Sequence, residues 1–126
     1  MAAGAVDATI AAPPEEVWKK VGDFAAVGDF FPGIESFRME GDERVIGMFG
    51  MEIREKLLAR DEEAHVLSYS VVGGVPIDSH RATISVEPDG DGSKVTWAYD
   101  VSPDEMAPIF GDTYKAALAQ LENAFG

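Results

Sequence analysis

The spacing of apolar residues changes period twice along this chain. Val6 to Ile10 alternates weakly and predicts a short strand. The following AAPPEEVW predicts a helix that starts near Pro13 and Pro14, with Glu15 and Glu16 suited to its positive end. Val17, Trp18 and Val21 form its apolar side, and Gly22 ends it. Asp23 is placed to cap a second short helix carrying Phe24, Val27, Phe30 and Phe31, which Pro32-Gly33 closes. A period of two then takes over. Strands are predicted at Ile34 to Met39, Glu43 to Met48, Met51 to Arg60, His65 to Val72, Ser79 to Val86 and Lys94 to Val101. Turn signals separate them at Gly41-Asp42, Asp61-Glu62-Glu63, Gly73 to Pro76 and Pro88 to Gly92.

The last stretch, Ser102 to Phe125, returns to helical spacing. Met106, Phe110, Tyr114, Ala117, Leu118, Leu121 and Phe125 make one apolar stripe. Ser102 and Glu105 have the spacing of a capping box, with Pro103 at the first helical position. Pro108 and Gly111 are where the first turns bend or separate. The predicted order is strand, two short helices, six strands, one long helix. No βα period repeats, so a doubly wound parallel sheet is not expected. A long helix after an antiparallel sheet covers the sheet's apolar face. A curved sheet under it leaves either a cavity or a filled core, and periodicity does not choose between them.

Composition narrows the function classes. The 126 residues are expected to form one domain. Ten Lys and Arg against 23 Asp and Glu give a formal net charge of -13. That balance speaks against nucleic acid and anionic membrane as partners, because both need a basic footprint. Without cysteine there is no disulfide, thiol nucleophile or thiolate metal site. The opening MAAGAVDATI carries Asp7 and no basic segment, unlike a signal peptide, and no apolar run approaches membrane-spanning length. A cytoplasmic protein without membrane insertion is expected. Two histidines with no close carboxylate pattern make a poor metal site, and no phosphate loop, dinucleotide fingerprint, HExxH or GxSxG appears. Neither metal nor cofactor is expected.

Several segments, in this order, resemble the START and Bet v 1-like superfamily, and more closely its polyketide cyclase/dehydrase-like branch. They are IAAPPEEVWKKVGDF from Ile10, FPGIESFRMEG from Phe31, REKLLARDEE from Arg54, SYSVVGGVPIDSHRATISVEPDGDGSKVTW from Ser68, and the closing TYKAALAQLENAF. The resemblance covers nearly the whole chain and rests on order and spacing rather than on one diagnostic motif. It implies an α+β helix-grip fold: a seven-stranded antiparallel sheet wrapped round a long C-terminal helix, with two short helices supporting it. It also implies a cavity between sheet and helix. It does not fix one function, since lipid and hormone binders, aromatase/cyclases and oxygenase domains share the fold.

Glu55 is the first candidate for chemistry. It alternates in phase with Ile53 and Leu57, so a regular strand puts it on their face, while Arg54, Lys56 and Leu58 take the other. A carboxylate among apolar side chains needs a partner, water or a ligand group. His80, a tyrosine hydroxyl, ordered water and a ligand are the partners considered; the plainer reading is a surface ion pair. The resemblance adds that a Glu in the matching segment of related plant hormone receptors points into the cavity. His80, where that branch has a cavity Tyr, is either pocket-lining or a structural histidine bonded to Asp78 or backbone. Tyr69, Trp97 and Tyr114 pack a core or line the pocket with their polar tips. Phe30, Phe31, Met106 and Phe110 suit its mouth or floor. His65, beside an acidic turn, is expected to be solvated. The loop Gly73 to Pro76 matches a mobile gate by position, although a Gly-Gly turn needs no function.

Two functions follow. One is binding of a small hydrophobic or aromatic metabolite, polyketide-, isoprenoid- or lipid-like, by Phe31, Glu55, Tyr69, His80, Trp97, Met106, Phe110 and Tyr114, in a monomer or weak homodimer. The other is a cofactor-free cyclase or dehydratase with Glu55 or His80 as acid and base.

Overall fold

A computed structural model describes residues 2–29 and 31–125. Its elements are β1 (Ala2–Ile10), α1 (Pro14–Val21), a 3-10 helix (Phe24–Asp29), β2 (Ser36–Glu40), β3 (Glu43–Met48), β4 (Met51–Asp61), β5 (Val66–Gly73), β6 (Ser79–Asp89), β7 (Gly92–Ser102), a 3-10 turn (Asp104–Met106) and α2 (Ala107–Phe125). The seven strands form one antiparallel sheet in the order β1-β7-β6-β5-β4-β3-β2. This is the helix-grip arrangement, with one short α-helix and a 3-10 segment where two short helices are expected. The 3-10 segment breaks at Ala26, which leaves helical dihedrals. Phe30 lies outside the described residues.

Alternation decides which face each strand buries. Leu67, Tyr69 and Val71 on β5, His80, Ala82, Ile84 and Val86 on β6, and Val95 and Trp97 on β7 turn toward the helix side and are buried. α2 closes that face with Tyr114, Ala117, Leu118 and Leu121, lying chiefly against β1 and β7. Gly111 is buried in this contact: a Cβ there would sit 2.5 Å from the Tyr99 hydroxyl oxygen, so a larger residue would have to push that ring aside.

Several segments depart from their local sequence signals. The capping box does not form. Ser102 pairs with Ser79 as the last residue of β7, and the Ser102–Pro103 peptide is cis. Pro103 caps the 3-10 turn without a side-chain bond, and α2 begins only at Ala107. Pro108 then falls in its first turn, where a missing N–H is harmless. His65 is not free in solvent. It adopts φ 57° ahead of β5 and stacks on Trp18 with ring centroids 5.3 Å apart.

Two irregularities shape the interior. β4 shifts register at Arg54/Glu55 and again at Leu57/Ala59. β5 and β6 pair only from Val66↔Ser85 to Tyr69↔Ala82. Beyond that point the side chains of Ser70 and His80 replace ladder bonds. The Ser70 hydroxyl donates to the His80 carbonyl, and the Val71 N–H donates to His80 Nδ1 at 3.0 Å. The sheet therefore opens at this end, beside the first turns of α2.

Candidate functional site

The site begins with the β3–β4 hairpin. Phe49 and Gly50 form its two-residue loop, both at positive φ, with Met48 paired to Met51. That register sets Arg44 opposite Glu55. Glu55 shares the inward face with Ile53 and Leu57, whereas Arg54 turns outward to Glu40 at 3.0 Å and Leu58 is exposed. Arg44 Nε donates to Glu55 Oε1 at 2.6 Å, and the two residues are only 4% and 7% exposed. Arg44 also donates to the Phe24 carbonyl at 3.0 Å. Its guanidinium lies 4.0 Å from the Phe24 ring centroid and 4.8 Å from that of Tyr69. Burying either ion alone would cost several kcal/mol. The cross-strand pair, the carbonyl and the two ring faces together offset that cost.

A second polar group lies behind this pair. Because His80 Nδ1 accepts the Val71 N–H, the ring proton sits on Nε2, which donates to the Tyr114 hydroxyl at 2.8 Å. Beside it, the Tyr69 hydroxyl accepts Trp97 Nε1–H at 3.1 Å. Trp97 stacks on Tyr114 with centroids 4.3 Å apart. Desolvation pulls the His80 pKa down to about 4, so the ring is neutral near pH 7. Desolvation also pushes both tyrosines well above their usual range, and their hydroxyls stay protonated.

A pocket of ≈ 310 Å³ lies between the β3–β4 hairpin and the start of α2. The hairpin supplies Ile46, Met48, Phe49, Met51, Ile53 and Glu55; α2 and the turn before it supply Met106, Ile109, Phe110 and Thr113; Phe31, Val75 and Pro76 complete the wall. Glu55 is the one charged side chain among these described residues. Of the sequence candidates, Phe31, Glu55, Met106 and Phe110 stand in this wall. Tyr69, His80, Trp97 and Tyr114 do not. They come together as the hydrogen-bonded cluster beneath it, with the Phe110 ring 4.8 Å from His80 between cluster and pocket. Glu55 meets neither His80 nor a tyrosine directly; its partner is Arg44. Alternation with Ile46 and Met48 is the sequence signal that puts Arg44 on the inward face; its register against Glu55 is set by the hairpin. Gly74, at φ 86°, passes so close to the Glu52 carbonyl that a Cβ would collide with it, so the Gly-Gly turn has a steric reason of its own.

A larger groove of ≈ 630 Å³ lies near Trp18 and Phe24. Its walls carry Lys19, Asp23, Asp42, Arg60 and Glu62, and it is open to solvent. In the smaller pocket, by contrast, apolar walls converge around one charged side chain. Among the described residues no cluster of three or more His, Asp or Glu is placed to hold a metal ion, and no helix is long and apolar enough to cross a membrane.

The family model for polyketide cyclase/dehydrase and lipid transport proteins matches residues 1–126. The chain belongs to that family. Among solved structures it is similar to the protein XoxI from Bacillus cereus, at 26% identity and a TM-score of 0.93, over 99% of this chain and 96% of that one. It is also similar to a protein from Thermobifida fusca, at 32% identity and a TM-score of 0.89, over 100% and 94% of the two chains. A Nitrosospira multiformis protein at 19% identity and a TM-score of 0.85, covering 99% and 97%, shares the fold. No curated protein matches the chain. Family and fold together suggest small-molecule binding.

Proposed function

We propose that this protein binds a small, largely apolar molecule in the pocket between the β3–β4 hairpin and the start of α2. One observation carries the reading: a ≈ 310 Å³ space with aromatic, aliphatic and methionine walls contains a single carboxylate, Glu55. The walls supply most of the binding energy through removal of apolar surface from water. Glu55 orients the polar end. Hydrophobic or aromatic metabolites of polyketide-, isoprenoid- or lipid-like character fit this division of labour.

A second reading, turnover of such a molecule, is favoured by the access of the same carboxylate to the pocket. A bound ketone enolises when a base removes its α-proton in a dry site, and Glu55 is the titratable group in the wall. His80 is poorly suited to that role. Val71 N–H occupies Nδ1, and Nε2–H is given to Tyr114.

The test is native mass spectrometry of protein purified from its own host. A retained small molecule, when added back to emptied protein, should shift the NMR signals of Met48, Met51, Met106 and Phe110. Shifts confined to the Trp18 groove would refute the assignment. For the second reading, Glu55→Gln should lower turnover by roughly 100-fold or more while affinity changes far less.

A further inference from the structure

The partner of Glu55 bears on which ligands the pocket accepts. Arg44 stands behind the carboxylate, bonded to Oε1, and is not part of the pocket wall. Among the described residues no donor reaches Oε2. The side-chain hydroxyl in the wall, on Thr113, donates to the Ile109 carbonyl at 2.8 Å within its own helix. A molecule entering from solvent therefore meets an oxygen that accepts hydrogen bonds, carried by an ion pair that is neutral as a unit. It meets no cation.

Resting on the binding reading above, we propose that the Arg44–Glu55 pair is a charge filter that selects neutral apolar molecules bearing a hydroxyl, whether alcohol, phenol or enol. Such a ligand donates to Oε2 and leaves the ion pair intact. A carboxylic acid enters as its anion, is desolvated, and faces another carboxylate with Arg44 screened behind it. An ammonium ligand loses its hydration against a carboxylate that Arg44 already neutralises. A molecule with the same apolar body but no donor leaves Oε2 desolvated and unmatched. The pocket thereby separates hydroxylated apolar molecules from free fatty or aromatic acids of equal size.

Three probes with one ring system test this on the full chain at pH 7.5: 2-naphthol, 2-methoxynaphthalene and 2-naphthoate. Dissociation constants come from calorimetry, and NMR shifts at Met48 and Phe110 report the place of binding. The expected order is naphthol tightest, the methyl ether about 10-fold weaker, and naphthoate weaker than both. This ranking needs no variant, so a folding defect cannot obscure it. Glu55→Gln keeps an acceptor and removes the charge, and it should narrow the gap between naphthol and naphthoate. Equal affinities, or naphthoate binding as well as naphthol, would overturn the filter while leaving the pocket as a ligand site. Failure of all three probes to shift the pocket signals would overturn both the filter and the binding reading.

Discussion

Removing Arg44 should damage the protein more than removing the whole ion pair. Arg44 and Glu55 are almost fully buried, with 2.6 Å between Nε and Oε1. In Arg44→Met a thioether replaces the guanidinium between the Phe24 and Tyr69 rings, and Glu55 is left without its counterion. Breaking a buried pair from one side costs about 3–5 kcal/mol. Glu55→Leu leaves the guanidinium with the Phe24 carbonyl and the two ring faces, so its loss should be smaller, about 2–3 kcal/mol. The double variant has no buried charge. Its stability should lie within about 1 kcal/mol of the parent, or above it, because apolar replacements avoid the desolvation cost of both ions. The coupling between the two positions is then at least about 4 kcal/mol. Urea unfolding followed by the fluorescence of Trp18 and Trp97 measures all four proteins. If the two single losses simply add in the double variant, or if Arg44→Met costs less than about 1 kcal/mol, Arg44 and Glu55 are not a buried pair in solution.

Two further outcomes follow from the same geometry. His80 titrates near pH 4 when folded against 6.5 when unfolded, so its contribution is complete above pH 6.5 and is lost as pH falls toward 4, by up to about 3 kcal/mol. His80→Gln should flatten that part of the pH–stability curve, and the difference between the two curves removes the background of titrating carboxylates. Phe49 sits at φ 56° with 73% of its surface exposed, in a turn position that favours Asn before Gly. Phe49→Asn should raise stability by about 0.5–1 kcal/mol in denaturant and weaken 2-naphthol binding several-fold; a loss of stability would contradict the turn assignment.

Alternation by two and the apolar stripe of the last helix are local properties of the chain, so the strands, α2 and the inward phase of Glu55 are legible in the amino-acid sequence itself. The Glu55 face follows from Ile53 and Leu57 alone, because side chains on a strand alternate whatever the sheet does elsewhere. The rest is decided by contacts between distant segments. Ser102 carries a strong helix-start signal, yet pairing with Ser79 gives it to the sheet, since ladder bonds to a neighbouring strand outweigh a single cap. The Arg44 partnership depends on register, and the Phe49-Gly50 turn that sets this register is not an Asn-Gly or Asp-Gly signal. His80 acquires its tautomer from the opening between β5 and β6, a feature with no trace in its own neighbourhood of sequence. Whether Tyr69, Trp97 and Tyr114 face a cavity or one another depends on the depth of space between sheet and helix. That depth is the sum of sheet curvature, bulges and side-chain volumes from every element, and no local window of residues contains it.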